Sequence, residues 1–124
     1  MKITCGTDII EIERVKESIE NVGTKFIERV YTEKEIEYCE SRKKQKYQHY
    51  AGRFAAKEAA FKAISKILDD KYSVCWKDFE TINDGQCRPS IILHNINTEK
   101  IESIDVSISH CREYAIANVV ILFK

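Results

Sequence analysis

The sequence predicts an α+β fold, with early helices packed on an antiparallel sheet, and three stretches carry that prediction. Tyr50 to Leu68 holds six alanines, no proline and long apolar residues at helical spacing, the pattern of a mostly buried α-helix. Near the end, Ile104-Asp-Val-Ser-Ile-Ser109 alternates, and Tyr114 to Phe123 is an almost continuous apolar run; both read as strands. Between helix and strands, Asn83-Asp-Gly-Gln86 is a hairpin signature. Helices early and antiparallel strands late define the class. With 124 residues, 44% of them hydrophobic and 32% charged, residues 1–124 make one domain with a single core.

Each element has its own signal. Lys2 to Ile10 forms the first strand, with Ile3, Cys5, Thr7 and Ile9 on one side and Gly6 and Asp8 on the other. A charged amphipathic helix follows from about Glu11 to Asn21 and turns Ile12, Val15 and Ile19 inward. Gly23 breaks it, and Thr24 caps a short successor through Phe26, Ile27 and Val30. Thr32-Glu-Lys-Glu35 is a capping box that opens a helix to about Ser41. Arg42 to Lys46 is a basic run, either a solvated loop or an anion clamp. The long helix extends from about Gln48 to Leu68, closed by Asp69-Asp70. Val74, Trp76 and Phe79 lead to the hairpin, Pro89 to Leu93 returns from it, and Asn95 to Glu102 carries a weak helix signal. His110 ends the face formed by Ile104, Val106 and Ile108.

Charge sums to zero but is unevenly spread. Residues 42–66 hold eight bases and one acid, Glu58, while the segments before and after carry net charges of −4 and −3. A lone acid in a basic band points to a phosphate-rich ligand with a metal, or to a solvated lysine face. Five cysteines without a Cys-x-x-Cys pair indicate neither a disulfide framework nor a zinc site. No signal peptide and no apolar run of membrane-spanning length are present, so a reducing cytoplasm is expected.

On the long helix Glu58, Lys62 and Lys66 share one charged strip, whereas Arg53 and Lys57 fall inside the apolar arc. Glu58 and Lys62 are a favourable i,i+4 pair. Arg53 and Lys57 must either snorkel to water or meet a partner, because an unpaired buried charge is costly. Asp8, at a strand end, is a turn or cap residue or part of a site.

Three separated segments resemble one family. Gly6-Thr-Asp8-Ile-Ile-Glu-Ile-Glu-Arg14 is similar to the Gly-x-Asp motif of the 4′-phosphopantetheinyl transferases. Arg53-Phe-Ala-Ala-Lys57-Glu58-Ala-Ala-Phe-Lys62 resembles their second motif, and Ser107-Ile-Ser109-His110 with Tyr114-Ala115 their C-terminal segment. Order, spacing and length resemble those of the short group, the carrier-protein synthases. The resemblance implies transfer of the phosphopantetheine arm of coenzyme A to a serine of apo acyl carrier protein, releasing adenosine 3′,5′-bisphosphate, in fatty acid biosynthesis. It implies Asp8 and Glu58 as ligands of Mg²⁺, Lys62 as a phosphate contact, and a homotrimer with active sites between subunits. Two departures from the family pattern are Ser65 and Cys87, where Gly is frequent.

Several roles follow as expectations. Mg²⁺ needs only one or two carboxylates beside substrate phosphates, which suits two acids from distant segments. The catalytic base is Glu58, a metal-bound water that Glu58 orients, or His110. For coenzyme A, Lys43, Lys44 and Arg53 are expected at the third phosphate and His110 as a further phosphate donor, and Gly85 to Pro89 resembles the loop that covers the adenosine in the family. Lys57 points about 100° from Glu58 and is given a structural or subunit-contact role. Arg14 and Arg29 are expected to anchor the acidic carrier protein. A nucleic-acid-binding module, an inactive structural trimer and a transferase for peptidyl or polyketide carriers are the rival readings; neither nucleic acid nor a membrane is the expected partner.

Overall fold

The computed structural model describes residues 2–124. The chain runs β1 (Lys2–Glu11), α1 (Ile12–Val22), α2 (Thr24–Val30), α3 (Glu33–Ser41), α4 (Lys46–Ile64), β2 (Phe79–Asn83), β3 (Pro89–Leu93), β4 (Ile101–His110) and β5 (Tyr114–Phe123). Single 3₁₀ turns lie at Lys43–Gln45, Ser65–Ile67 and Trp76–Asp78. The class is α+β, as the sequence predicts, but the strands form two sheets instead of one. A three-stranded sheet has the order β1-β5-β4, and β2 pairs with β3 alone; every pairing is antiparallel.

Alternation along β5 decides where the core sits. Ala115, Ala117, Val119, Ile121 and Phe123 are buried, while Tyr114, Asn118 and Val120 are exposed. From Ala117 onward the inner row packs with Val106 of β4 against the small side chains Ala55, Ala56, Ala59, Ala60 and Ala63 of α4. A second cluster gathers Val15, Ile19, Val30, Tyr31, Cys39 and Tyr50 where α1, α2 and α3 meet the first half of α4. Within it the Tyr31 hydroxyl donates to the Tyr50 carbonyl at 2.7 Å.

Four expectations need correction. Thr24 does not cap α2: it is the first residue of that helix, Gly23 holds the cap position, and no side-chain cap hydrogen bond forms. The helix signal at Asn95 to Glu102 yields no helix. Asn97 Oδ1 instead accepts from the Glu99 amide at 2.9 Å and Ile101 N–H donates to the Thr98 carbonyl, local bonds that compete with helical ones. β4 therefore starts at Ile101, earlier than the alternating stretch alone indicates. The long helix begins at Lys46 and is α-helical only to Ile64, then tightens to 3₁₀ through Ile67. Trp76 is not in a strand: Asp78 Oδ2 accepts from the Cys75 amide and holds a 3₁₀ turn ahead of β2.

Candidate active site

β1 crosses α4 at Gly6. A Cβ there would lie 1.9 Å from the Ala59 carbonyl oxygen and 2.9 Å from the Ala63 amide nitrogen, so only glycine lets the strand lie against the helix backbone. One residue pair earlier, Thr4 Oγ1 donates to the Ala63 carbonyl at 2.6 Å. Two residues later on the same face, Asp8 emerges beside the next turns of α4. The Gly-x-Asp spacing thus has a mechanical meaning: close approach first, then the acid.

The cleft so formed brings together residues that are far apart in sequence. Asp8, Arg14 and Glu58 line one hollow with Phe54 and Tyr114. Lys62 Nζ lies 3.3 Å from Asp8 Oδ1 and donates to the Thr7 carbonyl at 3.0 Å. Burial raises the Glu58 carboxyl above the usual range, the Asp8 charge raises it further, and Lys62 opposes both. Glu58 also borders an apolar hollow lined by Phe61, Val74, Trp76 and Phe79. Among the described residues, no group of three or more His, Cys, Asp or Glu side chains gathers as a ligand cage. Two carboxylates facing one cleft would suit a hard divalent cation that takes its remaining ligands from elsewhere.

The charges inside the apolar arc of α4 are both buried. Lys57 Nζ sits 2.6 Å from Glu35 Oε1 with neither side chain exposed, and donates to the Trp76 and Phe79 carbonyls at 3.1 and 2.7 Å. Glu35 closes the capping box with Thr32 and accepts from the Thr81 amide at 2.9 Å. Arg53 is 3% exposed. It donates to Asn83 Oδ1, and its guanidinium lies 4.0 Å from the Tyr38 ring centroid.

The residues chosen for coenzyme A fall in a second group at the N-terminal end of α4. Lys43 and Lys44 are exposed in the 3₁₀ turn, and Gly85 is exposed at the hairpin tip with Pro89 half-buried. His110 is exposed, its ring 6.1 Å from that of His49, which in turn meets Tyr38 at 5.4 Å. About 13 Å of helix axis separates His49 from Glu58. Arg29 is exposed in the last turn of α2. Sequence reasoning missed Glu35 as the partner of Lys57, although the capping box singled it out. Tyr38, His49 and Asn83 left no signal except the position of Asn83 at the turn.

An acid pair flanked by a lysine and an arginine, where a strand crosses a helix, has the charges that polyphosphate chemistry requires. The model of the 4′-phosphopantetheinyl transferase superfamily matches residues 4–119, and the chain belongs to that family. It is 47% identical to the holo-[acyl-carrier-protein] synthase of Ruminiclostridium cellulolyticum, over 98% of this chain and 92% of that one. With the synthase of Solibacter usitatus it shares 40% identity over 98% of both. The fold is similar to that of the Helicobacter pylori holo-[acyl-carrier-protein] synthase in complex with coenzyme A (TM-score 0.82, 32% identity, 95% of this chain and 99% of that one). The ACPS–CoA complex of Chronobacterium ammoniagenes gives a TM-score of 0.83 at 27% identity, over 100% and 99%. No helix among the described residues is long and apolar enough to cross a membrane.

Proposed function

We propose that this chain is a holo-[acyl-carrier-protein] synthase, transferring 4′-phosphopantetheine from coenzyme A to a serine of apo acyl carrier protein in fatty acid biosynthesis, in the cytoplasm. The observation that carries this reading is the convergence of Asp8, Glu58 and Lys62 on one cleft, in a family whose named relatives perform that role. The carrier's serine hydroxyl attacks the pantetheine-side phosphorus of the diphosphate. The bond to the bridging oxygen breaks, and adenosine 3′,5′-bisphosphate leaves. Glu58, its proton affinity raised by burial and by Asp8, accepts the serine proton. His110 stands with His49 at the other end of α4 and is assigned to the coenzyme instead. Lys62, half-exposed and hydrogen-bonded to the strand, neutralises the diphosphate.

Asp8 and Glu58 would hold Mg²⁺, which when bound supplies charge neutralisation at the diphosphate and the departing bisphosphate. Lys43 and Lys44 face the third phosphate and Gly85 to Pro89 the adenosine. Arg14, on the rim of the cleft, and Arg29 contact the carrier protein.

The active unit is a homotrimer. On the outer face of the β1-β5 pair, Ile3, Ile9 and Val120 are 66%, 60% and 45% exposed, an apolar surface that suits self-association. Assembly through it lets the acid cleft of one copy and the basic turn of another serve one coenzyme molecule. The test is intact-mass measurement of apo carrier protein after incubation with the chain, coenzyme A and Mg²⁺. The phosphopantetheine increment on the serine is expected; an unmodified carrier refutes the reading.

A further inference from the structure

Arg53 is placed like a structural strut, although its Nε has no hydrogen-bond partner and its side chain borders a hollow shared with Tyr38 and Asn83. It is 97% removed from solvent by the packing of α3 and β2 on α4, and one terminal nitrogen is committed to Asn83 Oδ1. Asn83 is the last residue of β2, and its Nδ2 donates to the Cys87 carbonyl at 3.0 Å across the hairpin tip. The tip is closed from inside by Asp84. Its carboxylate accepts from the Gln86 and Arg88 amides at 2.8 and 3.0 Å and from Arg88 Nε at 3.0 Å.

A second guanidinium reaches the same tip. Arg42 donates to the Tyr38 hydroxyl at 3.0 Å and approaches Cys87 Sγ at 3.9 Å. Its guanidinium lies 4.6 Å from the Tyr38 ring centroid and that of Arg53 lies 4.0 Å from it, a cation–π contact for each. Cys87 has φ 62, a left-handed conformation that a cysteine holds only with help from its surroundings. The help is visible: its carbonyl is taken by Asn83, and its thiol lies against Arg42.

We propose that Arg53 is a positioning residue that acts through Asn83 to fix the tip at residues 84–88 over the coenzyme, with Tyr38 and Arg42 as the second tether, and that it does not bind the third phosphate itself. This rests on the functional reading above and goes beyond it by separating loop support from phosphate contact. Asn83→Asp keeps the acceptor for Arg53, now with a negative charge that strengthens that contact, and removes the donor to Cys87. Arg53→Lys keeps the charge and loses the guanidinium geometry.

The experiment measures kcat and KM with coenzyme A and with 3′-dephospho-coenzyme A for the wild type, both single variants and the double variant. Each single change is expected to raise KM for coenzyme A about three- to tenfold, the value of one hydrogen bond, with kcat unchanged. The double variant is expected to be no worse than the worse single one, and the Arg53→Lys penalty to persist with the dephospho substrate. A penalty that vanishes without the third phosphate, multiplying effects, or a wild-type KM in Asn83→Asp overturns the proposal. Amide hydrogen exchange at residues 85–88 gives a readout that needs no activity. Faster exchange in both variants supports the tether and unchanged exchange refutes it, whereas a wild type that transfers nothing refutes the functional reading alone.

Discussion

Lys57 and Glu35 form an ion pair 2.6 Å apart with both side chains fully buried. The lysine comes from the motif helix α4 and the acid from the N-terminal turn of α3, which it also caps. Removing one partner leaves a buried charge without compensation. Lys57→Met is therefore expected to cost about 3–5 kcal/mol, read as a lower midpoint in urea unfolding. A loss below about 1 kcal/mol would mean that the pair does not hold α3 to α4.

Gly6→Ala tests the crossing of β1 over α4. The new methyl meets the Ala59 carbonyl 1.9 Å away, so strand and helix must separate, at about 1–3 kcal/mol. Because Asp8 is carried by the same strand, transfer activity is expected to fall by far more than stability implies. An active, fully stable variant would show that the close approach is not required.

His49 gives a pH signature. Burial, then Arg53, Arg42 and His110, push it down from 6.5 to about 4. The folded form therefore keeps the ring neutral while the unfolded chain takes up a proton. Its contribution is complete above pH 6.5 and is lost as pH falls toward 4. Urea midpoints measured across that window are expected to decline, and His49→Gln to flatten the decline. Equal slopes in the two proteins would exclude His49 as the source.

Much of this architecture is legible in the sequence because its causes are local. The capping box at Thr32 and Glu35, the hairpin at Asn83 to Gln86 and the alanine surface of α4 each depend on neighbours in the chain. Gly-x-Asp is legible as a pattern, but its reason, the Ala59 carbonyl, lies 53 residues away. Arg53 shows the limit. Its place in the apolar arc calls for a partner, and only the fold reveals Asn83 and Tyr38 around it. The segment 95–102 failed for the opposite reason, since the Asn97 side chain and a turn closed on the Thr98 carbonyl replace a weak helical pattern.

Docking of the carrier protein is expected to be modestly electrostatic. Arg14 on α1 and Arg29 on α2 are exposed, but Glu17 and Glu20 accompany Arg14 on α1. The apparent KM for carrier protein is expected to rise with ionic strength, and a salt-independent value would remove charge from the docking account.

The claim on which the account turns is that Asp8 and Glu58 together hold one magnesium ion beneath a diphosphate. Thermal unfolding with Mg²⁺ and adenosine 3′,5′-bisphosphate, compared between the wild type, Asp8→Ala and Glu58→Ala, tests it directly. The account predicts a Mg²⁺-dependent rise in melting temperature for the wild type and none for either variant, each of which folds without ligand. A variant that keeps the full magnesium-dependent rise would contradict it.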